Sequence, residues 1–428
     1  MKKTTLILSA LLCAAMGFAQ QSRTDIKTNP LFSASSYYAY PGPLQQKLTP
    51  APTGYKPFYI SHYGRHGSRW LINKNDYLQP VSILQRADSL GKLTALGRDI
   101  LRRLIMIRDA SENRYGELTQ RGGEQHRQIA KRMIQNFPEV FAGRTNIDAR
   151  STTVIRCIFS MENALQQLLL INPELQIKQD ASNHDMYYMN YDDPVLNKKK
   201  MPAKADEAYK AFGKKFLHYD RVMNNLFNDS SYWKHQVKYE QLYRRLFSNA
   251  ANLQSTELRH TISLYDLFSD QEIYNNWRTE NAWWYITYGG SPLNGGTQPF
   301  TQRNLLRNII AQADSCIQLE HPGATLRYGH DTVIMPLTCL LDLDGLGMQV
   351  ENLEELETRG WYNYRIFPMA ANIQFVFYRK NANDKDVIFK VLRNENEATL
   401  PIKTDIAPYY HWKDFKDYFL KKLDSYKE

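Results

Sequence analysis

Arg65-His66-Gly67-Ser68-Arg69 sets one imidazole between two guanidinium groups. The residues before it, Lys56-Pro57-Phe58-Tyr59-Ile60-Ser61-His62-Tyr63-Gly64, form a short apolar run closed by glycine, which reads as a β-strand. Open α/β sheets present their reactive groups in such turns, at the carboxyl ends of their strands. Arginine matches phosphate oxygens bidentately and keeps its charge at every accessible pH. Two arginines around a histidine therefore point to a phosphoryl centre. Five residues do not decide this alone, because a short motif of this kind also occurs in solvated loops.

Three further stretches carry related signals. Ala324-Thr325-Leu326-Arg327-Tyr328-Gly329-His330-Asp331-Thr332 is again an apolar strand, a glycine and a polar pair. Residues 333–341 follow it and read as a helix with Pro336 in its first turn. Asn146-Ile147-Asp148-Ala149-Arg150-Ser151-Thr152-Thr153-Val154-Ile155-Arg156 reads as a strand running into a helix start. Leu118-Thr119-Gln120-Arg121-Gly122-Gly123-Glu124-Gln125-His126 opens a helix with an apolar stripe of Ile129, Met133 and Phe137, which Pro138 ends.

With these stretches in this order, the chain resembles the histidine acid phosphatases, the branch of the histidine phosphatase superfamily that includes phytases and multiple inositol polyphosphate phosphatases. The resemblance rests on RHGxR at Arg65–Arg69, LTQxGxxQH at 118–126, RST followed by arginine at 150–156, and His330-Asp331 at a strand end. It spans residues from about 57 to 337, and the tail with Phe377-Tyr378-Arg379 and Tyr409-Tyr410-His411-Trp412 is family-like but less diagnostic. The resemblance implies that His66 attacks phosphorus to give a phosphohistidine, with Asp331 as proton donor. It likewise implies that Arg65, Arg69, Arg156 and His330 hold the phosphate, with no cofactor and no metal.

The chemistry asks for those residue types. A phosphomonoester carries close to two negative charges, and its uncatalysed hydrolysis is among the slowest reactions known. Cations must hold the dianion, a nucleophile must approach in line, and a donor must protonate the departing oxygen. Other polar residues have plainer readings. His62 is a packing or pocket-wall residue, since only His66 is bracketed by arginines. His126 is a structural hydrogen-bonding residue, and His184-Asp185 is a surface or cap pair without the glycine and helix that frame His330-Asp331. Arg150 competes with Arg156 for the phosphate role, and the family pattern favours the later one. Two departures stand out. Trp70-Leu71 follows the first motif where the family often has x-Pro, and His330-Asp331-Thr332 stands where inositol polyphosphate phosphatases often carry HAE. The second weakens the phytate expectation more than the general phosphatase one.

Along the chain, residues 1–19 read as a secretory leader: Lys2-Lys3, an apolar run from Leu6 to Met16, and Gly17-Phe18-Ala19 before cleavage. A lipid anchor at Cys13 is disfavoured because Leu12 precedes it. The expected fold is α/β: a mostly parallel sheet flanked by helices on both faces, with an inserted, mainly helical cap. Residues 20–183 would form the first part of the core, beginning with an extended, proline-containing lead-in over 20–56. Residues 184–300, aromatic-rich and helical in pattern around 208–219 and 232–247, would form the cap. Residues 301–428 would complete the core, with antiparallel strands at 371–379 and 386–393.

Composition narrows the remaining classes. With 428 residues, 43% hydrophobic and 23% charged, the chain is globular rather than disordered. Outside the leader no run is long and apolar enough to span a membrane. The expected location is therefore periplasmic or secreted. Cys157, Cys316 and Cys339 sit in apolar, helical contexts as buried free thiols, with at most one bridge among them. No cysteine pair has metal-ligand spacing, and His62 and His66 do not share a helix face. The net charge of +10 fits an anionic partner. A small polyanionic phosphomonoester fits best, since no nucleic-acid module is recognisable. Lys198-Lys199-Lys200, the densest cationic run, reads as a solvated face. The leading expectation is an exported phosphomonoesterase acting on inositol polyphosphates such as phytate. The alternatives are a broad acid phosphatase, a phosphoglycerate mutase-type enzyme, and a noncatalytic exported binder of the same fold.

Overall fold

The computed structural model describes residues 21–384 and 386–427, so the leader expected at 1–19 lies outside the described residues. The apolar runs that read as strands form one sheet. In chain order they are β1 (Lys56–Arg65), β2 (Asn146–Ser151), β3 (Gln176–Asp180), β4 (Gly323–Gly329), β5 (Asn372–Arg379), β6 (Ile388–Arg393), β7 (Asn396–Ala398) and β8 (Tyr410–His411). The spatial order is β3-β2-β4-β1-β5-β6-β7, with β8 pairing to β6. The β3-β2-β4-β1 part is parallel, and β5 onwards adds antiparallel strands at β1's other edge.

The central strands β1, β4 and β5 are buried on both faces, as interior strands flanked by helices require, while the edge strand β3 is largely exposed. Tyr59 and Tyr63 of β1 enter a large core with the helices Arg303–Cys316, Asp331–Leu340 and Trp412–Ser425. Ile60, between them in the alternation, enters the opposite core with the helices Gln120–Asn136 and Ile155–Ile171. β5 is buried along its whole length. Each large apolar side chain such as Phe377 contributes roughly 2 kcal/mol by leaving water. A third core joins the helices Asn75–Ser89 and Ala95–Ser111 to helices within 220–288. Among the described residues no helix is long and apolar enough to cross a membrane.

Two local expectations are corrected. The lead-in is not extended throughout: residues 21–28 are helical and Pro30–Tyr37 form 3-10 turns. Asn29 caps those turns through its side chain, and Pro30 starts them. Ile26, Ala34 and Tyr38 are buried, while Pro41, Pro43, Pro50 and Pro52 all come later. Proline content averaged over the segment hid that division. The second correction concerns Pro336. The helix begins at Asp331, with His330 as its N-cap, so proline falls in the second turn.

At the far edge of the sheet His411 bridges two carboxylates, Nδ1 facing Asp386 at 3.1 Å and Nε2 facing Asp405 at 3.3 Å. These partners raise its pKa above the usual value of 6.5, against the opposing effect of partial burial. A raised folded-state pKa stabilises fully below pH 6.5, and the benefit is lost as pH climbs through the folded value. We predict that His411→Ala lowers unfolding free energy by under about 1 kcal/mol at pH 5.5 and by less at pH 8.5. Urea denaturation of both proteins at the two pH values measures this.

Candidate active site

The turn at the end of β1 is a deeply buried polar region. Arg65 and His66 are 0% and 1% exposed. Backbone bonds pin the turn: His66 N–H donates to the Gly329 carbonyl at 2.9 Å, and Arg65 N–H to the Ala371 carbonyl at 2.8 Å. Gly67 N–H donates to Ser160 Oγ and Ser68 N–H to Gln125 Oε1. The LTQxGxxQH stretch therefore supports the Arg65–Arg69 turn. Its Gly122 lies so close that a Cβ there would stand 2.2 Å from the Ser68 carbonyl oxygen. A Cβ on Gly67 would in turn meet the Gly122 carbonyl at 2.4 Å.

The six candidate site residues converge at the carboxyl ends of β1, β2 and β4. Arg65 Nη2 pairs with Asp331 at 2.6 Å. The His66 and His330 rings meet edge-on, 5.9 Å between centroids. Arg69 and Arg156 have no carboxylate partner among the described residues, and their charges, with that of Arg65, act on the His66 ring. Arg150, the competitor of Arg156, is instead occupied by Asp148, Asp180 and Asp185. His62 packs against Tyr328, 5.2 Å between rings, with burial lowering its pKa to about 3. His126 is likewise buried against Tyr328. His184 is exposed, whereas Asp185 beside it is buried.

The electrostatics define a protonation state. Burial, followed by the charges of Arg65, Arg156 and Arg69, holds His66 well below the ordinary histidine range, so its ring is neutral. His66 Nδ1 lies 2.9 Å from the Gly67 carbonyl oxygen. A carbonyl only accepts, so Nδ1 carries the proton and Nε2 keeps its lone pair. His330 is lowered to about 4, by burial first and Arg156 second, and its Nε2 lies 3.1 Å from Thr152 Oγ1. Burial works to raise Asp331, but Arg65 and Arg69 overcome it and hold the carboxyl below its usual value. Three guanidinium charges against one carboxylate leave an excess of two positive charges, the complement of a phosphate dianion.

Several supporting residues were not legible in sequence. Cys157, expected in an apolar setting, lies under His330 instead: its thiol donates to the Gly329 carbonyl at 3.3 Å, and burial pushes its pKa up to about 11. All three thiols are free. Ser160, one turn after Arg156, returns a bond to the Arg156 carbonyl. Lys198 and Lys199 are exposed as expected, but Lys200 is half-buried over the Tyr288 ring at 4.9 Å. The Tyr288 hydroxyl in turn feels the Asp331 charge. Among the described residues no cluster of histidine, cysteine and carboxylate side chains could hold a metal ion.

The family model of the histidine phosphatase superfamily (branch 2) matches residues 65–394, most of the chain. The protein belongs to that superfamily. Solved structures agree on the fold. The Bifidobacterium longum multiple inositol polyphosphate phosphatase in complex with phosphate superposes with a TM-score of 0.77 at 19% identity, covering 91% of this chain and 98% of that one. The phytase from D. castellii gives 0.64 at 13% identity, with 92% and 86% covered. The Hafnia alvei phytase apo form gives 0.52 at 13%, with 87% and 98% covered. The histidine phosphatase match begins at Arg65, the first residue of the RHGxR motif.

The glycine contact between the two motifs is testable. Gly122→Ala should cost about 1–3 kcal/mol of stability, because neither backbone can retreat. It should also weaken inorganic phosphate binding by displacing the Ser68 peptide. Gly213→Ala, inside the Ala203–Phe216 helix where a Cβ meets open space, should leave phosphate binding unchanged and raise stability by up to about 1 kcal/mol. Calorimetric melting and phosphate titration of the two variants separate these outcomes.

Proposed function

We propose that this protein is an exported phosphomonoesterase that works through a phosphohistidine on His66 and prefers polyanionic substrates such as inositol polyphosphates. The observation that carries the reading is the neutral His66 ring, its Nε2 lone pair held among three arginines. In this reading the dianion docks on Arg65, Arg69, Arg156 and His330. His66 Nε2 attacks phosphorus in line, and the ester oxygen leaves with a proton from Asp331. Water then attacks the phosphorus of the phosphohistidine, Asp331 takes a proton from that water, and inorganic phosphate departs.

Asp331 is a carboxylate in the free site, held so by Arg65 and Arg69. Bound dianion neutralises part of that field and adds negative charge nearby, which raises the Asp331 pKa toward protonation. Rising pH removes the donor proton, so turnover falls on the alkaline side. His66 stays neutral through the ordinary histidine range near pH 6.5, so turnover does not fall there on acidification. We assign residues 184–300 as the cap over the substrate, and Lys200 beside Tyr288 supports a ligand with more than one phosphate. Export rests on the leader pattern at 1–19.

Two experiments test this reading. His66→Ala should lower phosphate release at least a thousandfold with unchanged thermal stability, and rapid quenching of wild type should trap an acid-labile, base-stable phosphoramidate. Release within about tenfold of wild type would remove His66 as the nucleophile. Wild type and Asp331→Asn should also be compared on nitrophenyl phosphate, a sugar phosphate and phytate. Asp331→Asn should lose about a hundredfold on the sugar phosphate and far less on nitrophenyl phosphate, whose leaving group needs no proton. For wild type, phytate should be the most efficient substrate, with an advantage that shrinks as salt rises. Equal efficiency on phytate and the sugar phosphate would leave a broad acid phosphatase.

A further inference from the structure

The arginine clamp is completed by a segment that precedes the matched span of 65–394. Arg65 Nη1 donates to the carbonyl of Ser36 at 2.7 Å and to that of Phe367 at 2.8 Å. One residue on, the Arg69 guanidinium lies over the ring of Tyr37, 5.4 Å from its centroid. The segment is held from several sides. Asn363 Nδ2 donates to Ser35 Oγ at 2.6 Å, Met369 N–H to the Tyr38 carbonyl at 2.7 Å, and Ala39 N–H to Gln254 Oε1 at 3.0 Å. Asn363 is itself locked by Trp277 Nε1 on its Oδ1 and by Asn281 on its backbone N–H. Ser35 adopts φ 56°, a left-handed conformation costly for serine, and these bonds sustain it.

That kink has a consequence at the next residue but one. Tyr37 is half-buried, and its hydroxyl has no hydrogen-bond partner among the described residues. The same hydroxyl lies within the fields of Arg69, Glu280 and Asp331. Burial, opposed by Arg69, raises its pKa above 10, so it is a neutral donor at working pH. A half-buried phenol beside Arg69, with no bonding partner among the described residues, is poised for an anionic ligand.

We propose that Tyr37 belongs to the phosphate site: its ring fixes the Arg69 guanidinium, and its hydroxyl donates to the bound phosphoryl group. This rests on the phosphomonoesterase reading for its substrate but not for its test. Inorganic phosphate binding is measured by titration calorimetry on wild type, Tyr37→Phe, Tyr37→Ala, Arg69→Ala, Tyr37→Phe with Arg69→Ala, and Tyr37→Ala with Arg69→Ala. kcat/KM on nitrophenyl phosphate is measured alongside, and melting curves confirm folding.

Tyr37→Phe keeps the ring and should weaken phosphate binding about tenfold through the lost hydroxyl. Tyr37→Ala should weaken it roughly fivefold more, because the guanidinium loses its platform. That second difference should vanish between the two double variants, since there is then no guanidinium to position. Tyr37→Leu replaces Tyr37→Ala, alone and paired with Arg69→Ala, should the alanine variant fail to fold. Phosphate affinity of Tyr37→Phe within twofold of wild type overturns the hydroxyl contact. Persistence of the Phe-to-Ala difference without Arg69 overturns the positioning role. Should wild type bind phosphate with this coupling yet show no turnover, the Tyr37 assignment stands and the phosphomonoesterase reading falls.

Discussion

Crowding three guanidinium groups around one imidazole, out of water, is the constraint to which the rest of the structure answers. Each buried cation loses its hydration, and like charges repel across a medium that screens them poorly. The protein offsets this for Arg65 with the Asp331 carboxylate and two backbone carbonyls. Arg69 and Arg156 are left without carboxylates among the described residues. The free site therefore carries two uncompensated positive charges, the complement of a dianion. Burial and the same field lower His66 and keep its ring neutral under acid conditions that would protonate an ordinary histidine.

Holding that arrangement needs rigid neighbours on every side. The Gly67–Gly122 approach lets the Gln120–Asn136 helix sit directly against the Arg65–Arg69 turn, and Gln125 and Ser160 then hold its peptide groups. On the other side, the turn before β5 accepts from Arg65 and donates to His66, and the N-terminal turns lie over it. Gly329 has the same origin: a Cβ there would stand 2.0 Å from the Tyr63 hydroxyl, which packs beneath the His330-Asp331 pair. The glycines of these motifs mark close approaches of backbone and side chain, and the cations mark where the resulting rigidity is used.

The two titratable groups respond to this field in the same direction, with opposite consequences. A positive environment drives a proton off an imidazole and equally drives one off a carboxyl. In the proposed mechanism that is the reactive form for His66 and, for Asp331, the wrong form for a donor until substrate arrives. On that proposal, coupling protonation of Asp331 to binding of the dianion makes the donor available only when there is a leaving group to protonate. The short Arg65–Asp331 pair sets that coupling, so the placement of aspartate directly after histidine has a direct electrostatic consequence.

Local chemistry was enough to find much of this. A run such as 56–64 is a short apolar stretch closed by glycine and reads as a buried strand, Thr119 and Pro138 bracket a helix, and arginines around a histidine after such a strand point to an anion. These features depend on residues within a few positions of one another, so the strands and the helices they lead into could be read directly from the chain, whereas the choice of the six polar residues rested on the family resemblance. Other features arise only when distant segments meet. That Arg150 is neutralised by Asp148, Asp180 and Asp185 while Arg156 is not, that Cys157 underlies His330, and that Lys200 leaves its lysine run to cover Tyr288 all depend on contacts across the fold. Tyr37 is the clearest case. Nothing in Ser35-Ser36-Tyr37 distinguishes it from any lead-in, because its environment is made by Arg69 and Asp331 and by Asn363, which holds Ser35 from 328 residues away. Sequence determined which groups could do the chemistry. Tertiary packing decided which are left without a protein partner and face the substrate, because pairing and burial are properties of neighbours in space.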